Sequence, residues 1–374
     1  MSASDILTVE RGTAVGVYVH IPFCKAKCKY CAFVSTTDMS LQCAYVNRVV
    51  KEITEYRGSG LFADTVYIGG GTPSCLYGGA LPEIFSALGN SFSITSDAEI
   101  TVEINPESCT ERFLDECVDC GVNRVSMGLQ SACDDVLKQA GRVHGVSDFK
   151  RAAGLVVKRF TNFSTDIILG LPSQTPEDIE TAADIISEYC THASVYAMSV
   201  EDGTPLCKSG YTTDDDRVAE MYDIACSALS EHGFCRYEVS NFARNGMISK
   251  HNCKYWRCEP YLGFGAAAHG YDGKSIRRAN TDNISDYING ANACITALTE
   301  KDRYNEYVML RLRTESGINL DDFYARFGYR FERQNKGTLD RLRGGYLIKA
   351  DENSVRISPD KMFVMNGIIE ELME

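Results

Sequence analysis

Six short apolar runs, each followed by a polar or glycine-rich turn and then by an amphipathic stretch, occupy the chain from residue 16 to about 235. They read GVYVHI (16–21), DTVYIG (64–69), AEITVEI (98–104), NRVSMGL (123–129), FSTDIIL (163–169) and ASVYAMS (193–199). Between them lie helical patterns such as LQCAYVNRVVKEITEY (41–56) and PEDIETAADIISEYC (176–190), the latter opened by Thr175 and Pro176 as an N-cap and N1 pair. Consecutive parallel strands need a crossover helix, so strand–helix units in series force a parallel sheet, either doubly wound or curled into a barrel.

The polar punctuation falls after the strands. It reads CKAKCKYC, GGGTPS, NPES, QSACDD, GLPSQT and EDGTP, in chain order. In a parallel βα barrel the loops at the carboxyl ends of the strands build the active site. One face therefore collects cysteines, glycines and polar side chains.

The first of these loops is the most specific. YVHIPFCKAKCKYCAF (18–33) sets Cys24, Cys28 and Cys31 in a C-x3-C-x2-C pattern. The chain has 16 cysteines in 374 residues and no secretory signal, so a reducing, cytoplasmic setting with free or metal-bound thiols is expected. A structural zinc would take four protein ligands. Three soft thiolates in one short loop suit an iron–sulfur cluster with one iron left open. That iron could be chelated by the amino and carboxylate groups of S-adenosylmethionine (SAM). Lys25, Lys27 and Lys29 are expected to lower the thiol pKa values.

With these residues in view the chain resembles the radical SAM superfamily, whose signature is this cysteine loop after the first strand. YVHIPFC, GGGTPS, VEINP, RVSMGLQS, GRVH, DIILGLPSQT, YEVSNFA and HNCKYW resemble, in order, the HemN/HemW branch of oxygen-independent coproporphyrinogen oxidases and related heme chaperones. The resemblance runs from about residue 16 to 374. It implies an α/β fold: an incomplete (β/α)6 radical SAM barrel with a smaller C-terminal α+β, winged-helix-like region. The implied divisions are an N-terminal segment (1–15), the radical SAM core (16–240), a heme-contact and connecting segment (241–299) and a C-terminal domain (300–374).

Carried over by motif, Cys24, Cys28 and Cys31 would ligate a [4Fe-4S] cluster. Tyr18, Tyr30, Gly70, Gly71, Thr72, Glu103, Gln130, Arg142 and Asp166 would bind SAM. His251, Asn252, Tyr255 and Trp256 match an H-N-x-x-Y-W pattern of the heme chaperones and would contact heme. An imidazole can ligate heme iron; residue types alone favour a buried, hydrogen-bonded histidine and a core tryptophan, and it is the motif resemblance that implies heme contact. The segment from 241 to 299 reads as irregular around HNCKYW and LGFGAAAHGY.

Two features separate the branch members. The oxidases resemble C-x3-C-x2-C-x-C, and here the fourth position is Phe33; they also carry a longer segment before the cluster. Both departures point to a heme chaperone that delivers heme to heme-accepting, respiratory proteins, with coproporphyrinogen oxidase as the alternative. The net charge of −13, with 13 basic and 14 acidic side chains in residues 300–374, disfavours nucleic acid as a partner of the tail. No polybasic or strongly amphipathic anchor requires a membrane, although peripheral contact is compatible with membrane-bound acceptors. The sequence leaves monomer and homodimer open. Cys117 and Cys120 read as one packed helix face ahead of Gly121.

Overall fold

The computed structural model describes residues 6–374. Six parallel strands form its centre: β1 (Ala14–Ile21), β2 (Phe62–Gly70), β3 (Ser93–Ile104), β4 (Arg124–Gln130), β5 (Asn162–Leu169) and β6 (His192–Ala197). Each pairs in parallel with the next, from Tyr18 opposite Tyr67 to Ser164 opposite His192. The crossover helices are α1 (Gln42–Thr54), α2 (Ala80–Ser91), α3 (Glu111–Asp119), α4 (Asp134–Gln139), α5 (Val146–Val156) and α6 (Pro176–Tyr189). The apolar faces of α1, α2, α3, α5 and α6 pack on the strands in one core, while Val136 of α4 joins a small cluster with Leu171, Met198 and Leu206. α6 starts as its sequence predicts, with Thr175 capping the Asp178 amide and Asp178 returning to the Thr175 amide.

The barrel is incomplete. α7 (Pro205–Lys208) and α8 (Asp215–Glu231) follow β6; β8 (Asn241–Ala243) then runs antiparallel beside β6, with β7 (Cys235–Arg236) antiparallel to β8 on its far side. The segment expected to be irregular is ordered instead. HNCKYW lies in α9 (Lys250–Trp256), and β9 (Tyr261–Phe264) pairs in parallel with β1, Gly16 opposite Tyr261. β10 (His269–Tyr271), β11 (Ile276–Ala279) and β12 (Cys294–Ala297) continue the sheet antiparallel, with α10 (Ile284–Ile288) between the last two. A seven-residue helix and four-residue strands are too short to show a period, and β9 finds its partner across most of the chain.

The tail builds a second core. α11 (Glu300–Leu312) leads into β13 (Ile318–Asn319) and α12 (Leu320–Phe327). The helical stretch from 331 to 344 is two helices, α13 (Phe331–Gln334) and α14 (Lys336–Gly344). Asn335 breaks it, its side chain bonding the Tyr304 hydroxyl and the Phe331 carbonyl. β14 (Ile348–Ala350) and β15 (Ser354–Ile357) form a hairpin, and α15 (Met365–Glu370) closes the unit. Among the described residues no helix is long and apolar enough to cross a membrane.

A buried carboxylate holds the flank of the barrel. Glu52 of α1 accepts hydrogen bonds from Arg278 (2.7 Å), Asn280 (2.9 Å), the Gly265 amide (3.1 Å) and the Tyr287 hydroxyl (2.6 Å). It thereby joins α1, α10, β11 and the loop after β9. Removing one partner of a buried, hydrogen-bonded ion pair costs about 3–5 kcal/mol. Glu52→Ala should lower unfolding stability in urea by that order. A loss comparable to that of an exposed salt bridge would contradict this role.

Candidate active site

The cysteine loop is held by the strand ends around it. The Gly71 and Thr72 amides donate to the carbonyls of Ile21 and Phe23, Cys24 N–H donates to Thr36, and Lys29 N–H donates to Ala140. Gly70 and Gly71 make this approach feasible. Gly70 has φ of 105°, and a Cβ there would stand 2.2 Å from the His20 ring. A Cβ on Gly71 would stand 2.6 Å from the Ile21 carbonyl oxygen.

Cys24, Cys28 and Cys31 line one cavity of about 290 Å³ at the carboxyl end of the barrel. A hydrogen-bonded chain spans it. Arg142 donates to Cys28 Sγ (3.5 Å) and to Asn105 Oδ1 (2.8 Å), Asn105 Nδ2 donates to Thr72 Oγ1 (2.8 Å), and Thr72 donates to Cys24 Sγ (3.5 Å). Two of the three thiols are thus engaged by groups from three other loops. Burial pushes the Cys24 thiol up to about 11, against the Thr72 hydrogen bond that lowers it, and burial likewise raises Cys31. Lys27 lowers the Cys31 thiol as expected, but burial outweighs it. Lys25 and Lys27 turn to the carbonyls of Glu107 and Phe33, and Arg142 supplies the cation beside Cys28.

Tyr30, Gly70, Gly71, Thr72, Glu103, Gln130, Arg142 and Asp166 all line the same cavity. Tyr18 lies under it, its hydroxyl bonded to His20 Nδ1 at 2.9 Å, and His20 Nε2 bonds the Val34 carbonyl. Glu103 accepts from the Tyr67 hydroxyl (2.6 Å) and the Gly70 amide (2.7 Å). Burial raises its carboxyl to about 7 in spite of those bonds. Burial also raises Asp166. Gln130 sits at a bulge with φ of 69°, an uncommon conformation for a residue with a side chain, and its buried Oε1 has no partner.

Sequence reading missed the rim. Phe33, Val143 and Tyr196 line the cavity and stay 66%, 56% and 42% exposed, an apolar edge around a polar hollow. Phe33 was legible only as an absent cysteine. Asn105, the middle of the hydrogen-bonded chain, lies within VEINP without announcing its role.

The HNCKYW residues are not brought to this cavity. α9 plugs the amino end of the barrel. Glu99 of β3 caps it, accepting from the Lys250 amide (3.0 Å) and the His251 amide (2.9 Å). His251 is buried, with Nδ1 bonded to Thr65 Oγ1 and Nε2 to the Tyr255 hydroxyl, both at 2.8 Å. Desolvation drives its pKa down to about 3, so the ring is neutral. Asn252 lies in the first turn of the helix, its amide donating to Ser249 Oγ, and Trp256 ends it. Cys117 is buried in α3, as packing requires.

The residues fit the groups that a radical SAM protein holds. Among the described residues no three His, Cys, Asp or Glu side chains are gathered to hold a metal ion, and the three thiols of one loop instead line a common cavity. The glycine cradle and the unpartnered Gln130 oxygen suit a ligand rich in N–H and O–H donors.

Comparison with known proteins agrees. Residues 18–186 match the radical SAM superfamily and residues 298–364 the HemN C-terminal domain. The fold is that of coproporphyrinogen III oxidase HemN from Escherichia coli, with a TM-score of 0.83 at 20% identity over 97% of this chain and 90% of that one. This is a radical SAM protein, a class that implies SAM and a [4Fe-4S] cluster. The chain is 34% identical to the heme chaperone HemW of Bacillus subtilis, over 94% of this chain and 97% of that protein. It is 33% identical to HemW of Escherichia coli, over 95% and 97%. It belongs to the HemW family.

Glu103 gives this site a pH signature. Its carboxyl titrates near 4.5 when unfolded and about 7 when folded, so the folded chain holds the extra proton between these values. The stability it lends is full below the unfolded value and is lost as pH rises to the folded one. In urea titrations of the cofactor-free chain, Glu103→Gln should flatten the fall in stability across this window. Equal slopes for wild type and variant would contradict the placement.

Proposed function

We propose that this chain is a heme carrier that binds heme and hands it to heme-dependent proteins, respiratory ones among them, while holding a [4Fe-4S] cluster and SAM. What carries the reading is kinship, over nearly the whole chain, with proteins named heme chaperones. Phe33, at the place of the oxidases' fourth cysteine, supports it.

In this reading Cys24, Cys28 and Cys31 would hold the cluster and leave one iron without a protein ligand. Bound together, the cluster and SAM supply one-electron chemistry. Arg142 and Thr72 donate to the sulfurs of Cys28 and Cys24 and so hold both side chains at the cavity wall. Gly70 and Gly71 let the backbone after β2 close on His20 and Ile21, and so form the cavity wall against which the amino-acid end of SAM would lie. Gln130 Oε1, Glu103 and Asp166 offer acceptors to its ribose and amino groups. Heme is assigned to the apolar rim of Phe33, Val143 and Tyr196, where a flat macrocycle can cover the cavity. His251 and Tyr255 are assigned to holding the barrel plug, because both imidazole nitrogens are engaged.

Two experiments test this. After anaerobic reconstitution the wild type should hold about four irons per chain. Cys24→Ser should lose most of the iron and SAM binding with it; unchanged iron and SAM binding would remove the site assignment. With SAM, reductant and coproporphyrinogen III, mass spectrometry should find no decarboxylated product. Loss of two carboxyl groups over multiple turnovers would make the protein an oxidase.

The rim is tested separately. Burying a phenylalanine is worth about 1.5–3 kcal/mol. Phe33→Ser should therefore weaken heme binding roughly ten-fold or more with iron content unchanged. Unaltered heme affinity would place heme elsewhere.

A further inference from the structure

A second cavity, of about 240 Å³, lies between α9 and the turn that follows α11. Two of its lining groups are buried donors without acceptors. Arg311 is 9% exposed, its Nε has no partner, and its guanidinium makes no ion pair among the described residues. The indole N–H of Trp256, the chain's single tryptophan, is also buried and unpartnered. Buried donors in folded proteins are nearly always satisfied, and a buried charge without a counter-charge is rarer still.

The other polar groups around the cavity are committed. Tyr237 bonds His192 and receives the Ser249 amide, and Thr314 Oγ1 donates to the Arg311 carbonyl. Glu315 faces Arg236 at 3.4 Å, and Arg257 stands 3.8 Å from Glu259. The unmet demand is for negative acceptor atoms. Ile248, Cys253 and the indole ring supply an apolar wall beside it. The volume suits a small acid and excludes a macrocycle.

We propose that this cavity binds a carboxylate on a short alkyl arm, held by the Arg311 guanidinium and the Trp256 indole N–H. A planar guanidinium matches a carboxylate in geometry as well as charge. The carboxylate could arrive as a free short acid or as an acidic arm of a larger molecule. The inference does not rest on the heme-carrier reading, because the shared chemistry is measured with propionate alone.

The single tryptophan makes the test direct. Propionate titrated into the full chain at constant ionic strength should change Trp256 fluorescence saturably and raise the melting temperature, while propionamide and chloride should do neither. Arg311→Met should fold with stability equal to or above wild type, since it removes a buried charge without a counter-charge, and should weaken propionate binding roughly ten-fold or more. Absence of a saturable response in wild type, or equal binding by Arg311→Met, would overturn the proposal. If Arg311→Met does not fold, Arg311 holds the structure together and the proposal also fails. Displacement of propionate by hemin but not by hemin dimethyl ester would assign the acidic arm of a larger ligand, and no displacement by hemin would assign a free acid.

Discussion

A loop bearing three cysteines has no fold of its own, and in this protein it is held by the ends of a parallel sheet. The amides of Gly71 and Thr72 reach the carbonyls of Ile21 and Phe23, and the side chains of Arg142, Asn105 and Thr72 complete a chain from one thiol to another. These contacts exist only because β1, β2, β3 and β4 end at one level with their carboxyl ends together. Parallel order is thus the constraint from which the site follows. The helices outside, the bulge at Gln130 and the glycines after β2 all serve that convergence.

The two ends of the barrel are linked. Tyr67 of β2 stacks on His251 at 5.3 Å on one side and donates to Glu103 at 2.6 Å on the other. One aromatic layer separates the α9 plug from the floor of the cavity. His251 and Tyr255 thus seal the amino end of an open barrel, and His251 packs against the tyrosine that donates to Glu103. Trp256, at the far end of the same helix, faces the C-terminal unit, so α9 touches both cores.

Much of this was legible in the sequence. The six strands stand out because both faces are buried, which makes them continuous apolar runs, and because polar turns close each one. The polar set from Gly70 to Asp166 was legible through motif resemblance, and the fold explains it: Gly70, Gly71, Thr72, Glu103 and Gln130 lie at or just after strand ends, while Asp166 comes from the middle of β5 and Arg142 from the turn after α4. What was not legible depends on contacts between distant residues. β9 is a strand only because β1 offers it an edge. Lys25 and Lys27 flank the cysteines in sequence, yet the loop turns both toward carbonyl groups while Arg142 comes in from another turn. Arg311 looks like one more helix charge until packing buries it opposite Trp256.

A heme carrier moves heme and does not rebuild porphyrins. The decisive experiment loads the reconstituted chain with heme and follows its passage to a heme-free respiratory acceptor, with apomyoglobin as a passive scavenger for comparison. A carrier should transfer heme to the acceptor faster than it releases heme to the scavenger, and the rate should rise with acceptor concentration. If the acceptor gains heme no faster than the scavenger does, the chain only lets heme go, and the carrier reading is wrong.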